Sequence, residues 1–399
     1  MRILFTVFGS RPHIYPLVPL AWAFRTAGHD VRLAGPPLWA TEMACTGLPF
    51  AQVGGCPAVT PMVRDEVAGA MFTQQPWPAD WTAHVGSLTA RQWAYLESVG
   101  RYLVAAAAAM VDELVAFARR WRPDLVVYDS FSYAGRVVAE VLGVPAVRHL
   151  SGPDSAQRLE LAQPGPHPLA EYRALFERFG VPVMLDAHAA VDPTPPSMRL
   201  VVPERLRQMR YIPYNGPGCT PQGLTTRRKR PRVCVTWGHT NALAAIAGTW
   251  PFRVAIDAIA AQGMDCLIAA PTAEVDKLGA LPESVRALSA APLHLVLPYC
   301  DGIVHQGGDG TALTAAAAAV PQLVIPASPE ADMVGGRIVA TGVGIAVRYD
   351  TAATVADAVR RLLSDVAYRE EAVRLRAEIE SQPVPAVVAS AVAADLANG

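Results

Sequence analysis

Residues 303–326 read IVHQGGDGTALTAAAAAVPQLVIP, a short apolar run that breaks into a glycine-rich turn and opens directly onto a helix. Ile303 and Val304 read as the end of a buried strand. Gly307, Gly308 and Gly310 let the backbone turn sharply and approach a ligand closely. Thr311–Ala319 then forms an alanine-rich helix, whose first free N–H groups and positive dipole end face whatever sits over the turn. An anion, most naturally a phosphate, suits that place. His305 is expected to add a ring N–H beside it. Val320-Pro321 ends the helix before the next strand, Gln322–Ile325. Taken alone, such a turn also fits an ordinary strand–turn–helix without a ligand.

Working outward, 399 residues are enough for two cores, since single cores stop growing at roughly 250–300 residues. A composition 52% hydrophobic and 17% charged describes a packed globular protein. The net charge of −1 supplies no general attraction to nucleic acid or anionic lipid, so phosphate recognition must be local. The six cysteines (Cys45, Cys56, Cys219, Cys234, Cys266, Cys300) include no CxxC and no metal-type pairing with histidine, and read as free thiols. The chain enters a strand from Met1, which leaves no room for a secretory leader, and no apolar run approaches ~18 residues. A cytoplasmic location without membrane attachment is the expectation.

Strands at Ile3–Phe8 and Asp30–Ala34 flank a helix at Tyr15–Thr26, the rhythm of a doubly wound parallel sheet. The first turn, Gly9-Ser10-Arg11-Pro12-His13, lacks the GxGxxG of a dinucleotide site. Residues 54–82 are irregular and rich in apolar side chains, including Met62, Met71, Phe72, Trp77 and Trp81. They read either as a satellite core under a long loop or as an acceptor-binding wall. A long helix over His84–Arg120 leads to the strand Asp124–Tyr128, a helix at Tyr133–Leu142 and the strand Pro145–His149. Parallel strands point their C-terminal ends at one crevice, so Gly9–His13, Asp129–Ser132 and His149–Ser151 should converge. Prolines then crowd the chain from Pro193 to a basic run, Arg227–Arg232, which reads as a solvated linker rather than a nucleic-acid arm. A second series starts at Arg232–Thr236. It passes through a helix at Trp250–Gln262, a strand at Met264–Ala269, a helix near Glu274–Leu278 and the glycine turn. A helix at Met333–Thr341, a strand at Val343–Val347 and helices from Thr354 onward complete it.

Three stretches, GSRPHIYPLVPLA (9–21), APLHLVLPYCD (291–301) and VHQGGDGTALTAAAAAVPQLVIP (304–326), carry a likeness to known enzymes, together with YIPYNG (211–216). The chain resembles the GT-B glycosyltransferases of natural-product biosynthesis, family 1, and within them the actinobacterial enzymes that place deoxysugars on polyketides. That resemblance implies an α/β fold of two facing Rossmann-like domains, with parallel sheets flanked by helices. Residues 1–212 would bind the acceptor, 213–231 link, and 232–380 bind the nucleotide sugar. Residues 381–399 would form a helix packing back toward the N-terminal domain. It also implies His13 as general base, with Asp129 behind it to orient the imidazole and stabilise its cation. The donor diphosphate would lie on Gly238, His239, Thr240, His305, Gly307, Gly308, Gly310 and Thr311. Nucleoside and sugar would meet Leu288, Ser289, Pro292, Leu293, Glu330 and Ala331, and the acceptor Met62, Phe72, Trp77, Trp81, Phe131 and His149.

The implied reaction is inverting transfer of a deoxysugar from dTDP to a hydroxyl of an aromatic or macrolide polyketide. No DxD occurs, and neither metal nor cofactor is expected. The partners would be the nucleotide sugar and the aglycone, without nucleic acid or membrane, and a homodimer is one expected state. Two departures stand out. Ser289–Leu293 lacks the aromatic and Gln of the family's nucleobase segment, and Glu330-Ala331 replaces the Asp-Gln with which hexose-using members hold sugar hydroxyls. Asp309, beside the diphosphate, is set either to cap the helix or to meet a cationic sugar. A C-glycosyltransferase, a non-catalytic partner of another glycosyltransferase, and a sugar-nucleotide epimerase or hydrolase are the alternatives.

Overall fold

The computed structural model describes residues 1–55, 77–78, 81–82, 85–162, 165–225, 230–238, 250–289, 291–326, 328–348 and 351–398. Met62, Phe72, His239, Thr240 and the first half of the basic run, 227–229, lie outside them.

Two parallel sheets organise the chain. The first contains β1 (Arg2–Thr6), β2 (Asp30–Gly35), β3 (Phe50–Gln52), β4 (Leu125–Asp129), β5 (Ala146–His149), β6 (Ala189–Asp192) and β7 (Leu206–Gln208), ordered β3-β2-β1-β4-β5-β6-β7. The second contains β8 (Arg232–Val235), β9 (Asp265–Ile268), β10 (Val285–Ala287), β11 (Gly302–His305), β12 (Gln322–Val324) and β13 (Gly344–Ala346), ordered β10-β9-β8-β11-β12-β13. In each, the strand order reverses beside the first strand, between β1 and β4 and again between β8 and β11. These are the switch points where such sheets open a crevice at their C-terminal ends.

Burial on both faces explains the unbroken apolar strands: β4 is buried at every position of LVVYD, and β11 at every position of GIVH. One face of the first sheet packs on the helix Ala90–Trp121 and the helix Tyr133–Leu142. The other packs on the helix Val18–Thr26, against which the C-terminal helix Pro385–Asn398 lies, burying Val388, Ala389 and Val392. The last helix thus returns from the second sheet to the core of the first.

The expected helix over 15–26 is instead a short helix Arg11–Ile14, a 3-10 turn Tyr15–Leu17 and the helix Val18–Thr26. Pro16 and Pro19, without N–H groups, sit in the first turns of the second and third pieces. His13 therefore rides on a helical turn. The long helix begins at Ala90, not at 84, because Thr89 and Gln92 close a capping box around its first turn.

Candidate active site

Four strand ends build the site, and the two switch points supply them. In the first sheet, β1 pairs with β4 so that Thr6 faces Tyr128, which sets the turn after β1 beside Asp129. Gly9 (φ 136) and Ser10 (φ 64) bend the chain sharply there, under the ring of Trp39, whose Nε1 would lie 2.8 Å from a Cβ on Gly9. The turn delivers His13, whose Nδ1 stands 2.8 Å from Asp129 Oδ1. A carboxylate accepts only, so Nδ1 carries the proton and Nε2 keeps the lone pair in the neutral ring. The backbone N–H of Phe8 donates to Asp129 Oδ2 at 3.3 Å, and Phe8 and Phe131 pack on the imidazole at centroid distances of 4.9 and 5.4 Å.

Beneath Asp129 lies a buried ionic layer. Arg136 pairs with Glu160 at 3.0 Å and Arg148 with Glu204 at 3.1 Å, all deep inside the first half. Burial opposes ionisation of Glu160, but Arg136 and Arg158 outweigh it and hold the carboxyl at about 2. Both guanidinium groups also grip Ser130, Arg136 through its carbonyl and Arg148 through its hydroxyl, which fixes the residue next to Asp129.

In the second sheet, β11 runs into Gln306-Gly307-Gly308, and the helix Asp309–Ala317 begins with Gly308 as its N-cap and no side-chain cap of its own. Its leading N–H groups are therefore open to a ligand. His305 does not offer the expected ring donor to that ligand. Its ring is wholly buried, Nε2–H donates to Gln322 Oε1 at 3.0 Å, and Nδ1 accepts from the Gly307 N–H at 3.1 Å. Burial keeps the ring neutral, its pKa lowered to about 4. Gln322 in turn donates to the Ala312 carbonyl, so the imidazole shapes the turn from below.

Asp309 is the first residue of its helix, whose N-cap is Gly308. Its carboxylate lies against Gly152, just after β5: a Cβ there would fall 2.3 Å from Asp309 Cγ, so glycine is needed at this crossing of the cleft. Glu330 crosses too, accepting from the Tyr95 hydroxyl at 3.0 and 3.2 Å. The YIPYNG segment stitches the halves together. Tyr214 donates to the Cys45 carbonyl, Tyr211 meets Thr314 at 3.0 Å, and Asn215 joins Thr314 at 3.2 Å to the His294 N–H at 2.9 Å.

Between these elements lies a cavity of about 670 Å³, walled by residues of both halves. One end holds His13, Phe8, Tyr102, Phe131 and Leu159, and the other Gly238 and Gly307–Thr311. The description "Erythromycin biosynthesis protein CIII-like" matches residues 22–238 through its N-terminal domain and residues 253–394 through its C-terminal domain. The chain belongs to this family. It is 34% identical to aklavinone 7-beta-L-rhodosaminyltransferase of Streptomyces galilaeus, over 97% of this chain and 94% of the relative. To 10-deoxymethynolide desosaminyltransferase of Streptomyces venezuelae it is 35% identical, over 97% and 95%. Among solved structures, glycosyltransferase VinC in complex with dTDP superposes with a TM-score of 0.80 at 29% identity, covering all of both chains. Spinosyn rhamnosyltransferase SpnG with the spinosyn aglycone reaches 0.82 at 25% identity, covering 98% of this chain and all of that one. Membership of the CIII-like family makes the chain a glycosyltransferase with the two-domain GT-B fold.

Of the expected site residues, His13, Phe131, Gly238, Pro292, Leu293, Gly307, Gly308, Gly310, Thr311, Glu330 and Ala331 line the cavity, with Asp129 directly behind His13. Besides the buried His305, five others stand elsewhere. His149 is buried on β5 and its imidazole is pushed down to about 4 by burial, so it faces the interior rather than an acceptor. Trp81 belongs to the first core and Trp77 packs on it and on Tyr95, so these two residues of the loop join a core. Leu288 is buried in the second core, and Ser289 is exposed outside the cavity. Sequence reasoning missed Tyr95, Tyr102, Asn215, Thr236 and Gln306. Gln306 and Thr236 could have been found, since Thr236 closes one strand read from the sequence and Gln306 stands two residues past the end of another. Tyr95 and Tyr102 stand seven residues apart on one helix face, a spacing that core packing explains equally well.

Proposed function

We propose that the chain transfers a deoxysugar from a dTDP-sugar to a hydroxyl of a polyketide-type aglycone, inverting the anomeric centre without a metal ion. The observation that carries this reading is the His13–Asp129 pair, 2.8 Å apart, set in the cavity whose other end is the glycine turn. The names of the relatives supply the substrate classes: one is an aklavinone rhodosaminyltransferase, another a 2-deoxy-L-fucose transferase, and VinC was captured with dTDP.

In this reading the acceptor lies against Phe8, Tyr102 and Phe131 with its hydroxyl at His13. Nε2 takes the hydroxyl proton as the oxygen attacks the anomeric carbon, and Asp129 stabilises the imidazolium that forms. The bond to the diphosphate breaks on the opposite face, and its electron pair leaves with the diphosphate. Charge building there is met by the N–H groups of Gly308–Thr311 and the positive end of the helix Asp309–Ala317. Residues 1–212 act as the acceptor half and 232–380 as the donor half.

His13→Ala is expected to lower kcat by at least ~10²-fold, the usual share of a general base, while dTDP affinity measured by calorimetry stays near that of the wild type. Unchanged turnover would remove His13 from the mechanism.

A further inference from the structure

Residues 213–231, between β7 and β8, read as a linker in the sequence, yet Tyr214 and Asn215 are built into the cavity wall. The chain is clamped there from both sides. Toward the first half, the Tyr214 hydroxyl donates to the Cys45 carbonyl at 2.7 Å and its ring meets Tyr15 edge-on at 5.2 Å. Gly216 (φ 94) then bends past Tyr15, whose hydroxyl oxygen would lie 3.0 Å from a Cβ at that position. Toward the second half, a Cβ on Gly218 would fall 2.5 Å from Pro292 Cδ.

Held in this way, Asn215 uses both ends of its amide on the second half. Nδ2 donates to the Thr314 hydroxyl at 3.2 Å, and Oδ1 accepts from the His294 backbone N–H at 2.9 Å and from His294 Nδ1 at 3.1 Å. Thr314 is buried in the helix Asp309–Ala317, and its hydroxyl donates to the carbonyl of Gly310, in the first turn that lines the cavity. His294 belongs to the short helix Leu293–Val296, and Pro292 and Leu293 line the cavity at its start. One side chain thus ties together two stretches of the donor half that both face the ligand space. Val296 and Ala315 share an apolar core, which keeps the two helices folded against each other without Asn215. Apolar contact is non-directional, however, whereas hydrogen bonds set distance and angle. A nucleoside diphosphate spans both stretches, with its diphosphate at the glycine turn and its nucleoside at Pro292 and Leu293. Its affinity depends on the two being held at the ligand's own spacing, because any freedom in that spacing is lost on binding.

Resting on the reading of the chain as a dTDP-sugar transferase, we infer that Asn215 is a positioning residue, which locks the diphosphate helix to the nucleoside segment through Thr314 and His294.

The test is calorimetric titration of the full chain with dTDP. Asn215→Ala should bind dTDP roughly 10-fold more weakly, the size expected when hydrogen bonds between neutral groups are lost and their partners stay buried. Thr314 is buried one turn behind the cavity-lining Gly310, so Thr314→Val breaks the tie without removing a ligand contact. It should weaken dTDP to a similar extent, and Thr314→Ser, which keeps the hydroxyl, should restore wild-type affinity. The double variant Asn215→Ala/Thr314→Val should bind no more weakly than the weaker of the two single variants, since both break one tie. Unchanged affinity in Asn215→Ala overturns the inference, whatever happens to Tm. So do losses that add in the double variant, or a loss confined to Asn215→Ala, because each makes Asn215 a direct ligand contact. If Asn215→Ala does not fold, equal affinity in Thr314→Val and Thr314→Ser overturns it instead. Failure of the wild-type chain to bind dTDP is a separate result, which removes the donor reading and the inference with it.

Discussion

Three imidazoles show how place decides what a histidine does. His13 sits at the mouth of a switch point with a carboxylate behind it and a cavity before it. His149 and His305 end strands in the two sheets, are buried, and stay neutral with pKa values near 4. Both therefore carry a pH signature. An unfolded imidazole takes a proton near pH 6.5, whereas these two resist it in the folded chain, so the unfolded state binds more protons between about pH 6.5 and 4. Stability is full above that window and falls as pH drops through it, by up to roughly 3 kcal/mol per ring at 1.36 kcal/mol per unit. Urea unfolding at pH 7 and pH 5 should show the loss, and His149→Phe should reduce it; a flat profile would contradict the neutral burial. At this scale the meeting of His13 and Asp129 was legible, because each follows a strand in a βαβ series, whereas the roles proposed for them rest on the family resemblance. The part played by His305 was not. Whether a ring aims at a ligand or at Gln322 depends on side-chain packing from another strand, which spacing along the chain does not encode.

Among elements, the 32-residue helix Ala90–Trp121 matters most, since it carries Tyr95, Val99, Tyr102 and Leu103 into the cavity wall. Its first turn is held by Thr89, which accepts from the Gln92 N–H, and by Gln92, whose side chain returns to the Thr89 N–H at 2.8 Å. Thr89→Ala should cost about 1 kcal/mol and fray the first turn, raising hydrogen exchange over residues 90–94 while the cores stay protected. Exchange unchanged there would mean that packing alone fixes the start. The capping box stood in the sequence as T-x-x-Q, so this boundary could have been read. Strands β6, β7 and β10 could not. They are three or four residues long and flanked by prolines, and what makes them strands is the edge of a neighbouring strand to which their backbones bond.

At the level of the whole molecule, the crossings between the two halves at the cleft include, among the described residues, Asp309 on Gly152, Glu330 on Tyr95, and the YIPYNG segment. Gly152→Ala tests the first. The added methyl would lie 2.3 to 2.5 Å from atoms of the Asp309 side chain, so that the side chain must move away or the halves part. Because misplacing reacting groups by about an ångström can cost as much as 10²-fold, kcat/KM should fall by roughly 10-fold with little change in Tm. If both stay at wild-type values, the crossing has no part in the working cleft.

The glycine turn, the apolar strands and the βαβ alternation required two doubly wound sheets with their ligand ends at Gly9–His13, Asp129, Gly238 and Gly307–Thr311, because hydrophobic period and turn chemistry are local properties of the chain. The meeting of the two sheets was not local. The crossing carboxylates, the withdrawal of His149, Trp77, Trp81 and Leu288 into cores, and the bonding of His305 to Gln322 each depend on contacts between residues far apart in sequence. Such contacts form only once the elements pack, and their burial then decides which polar groups must be satisfied within the protein and which are left to face a ligand.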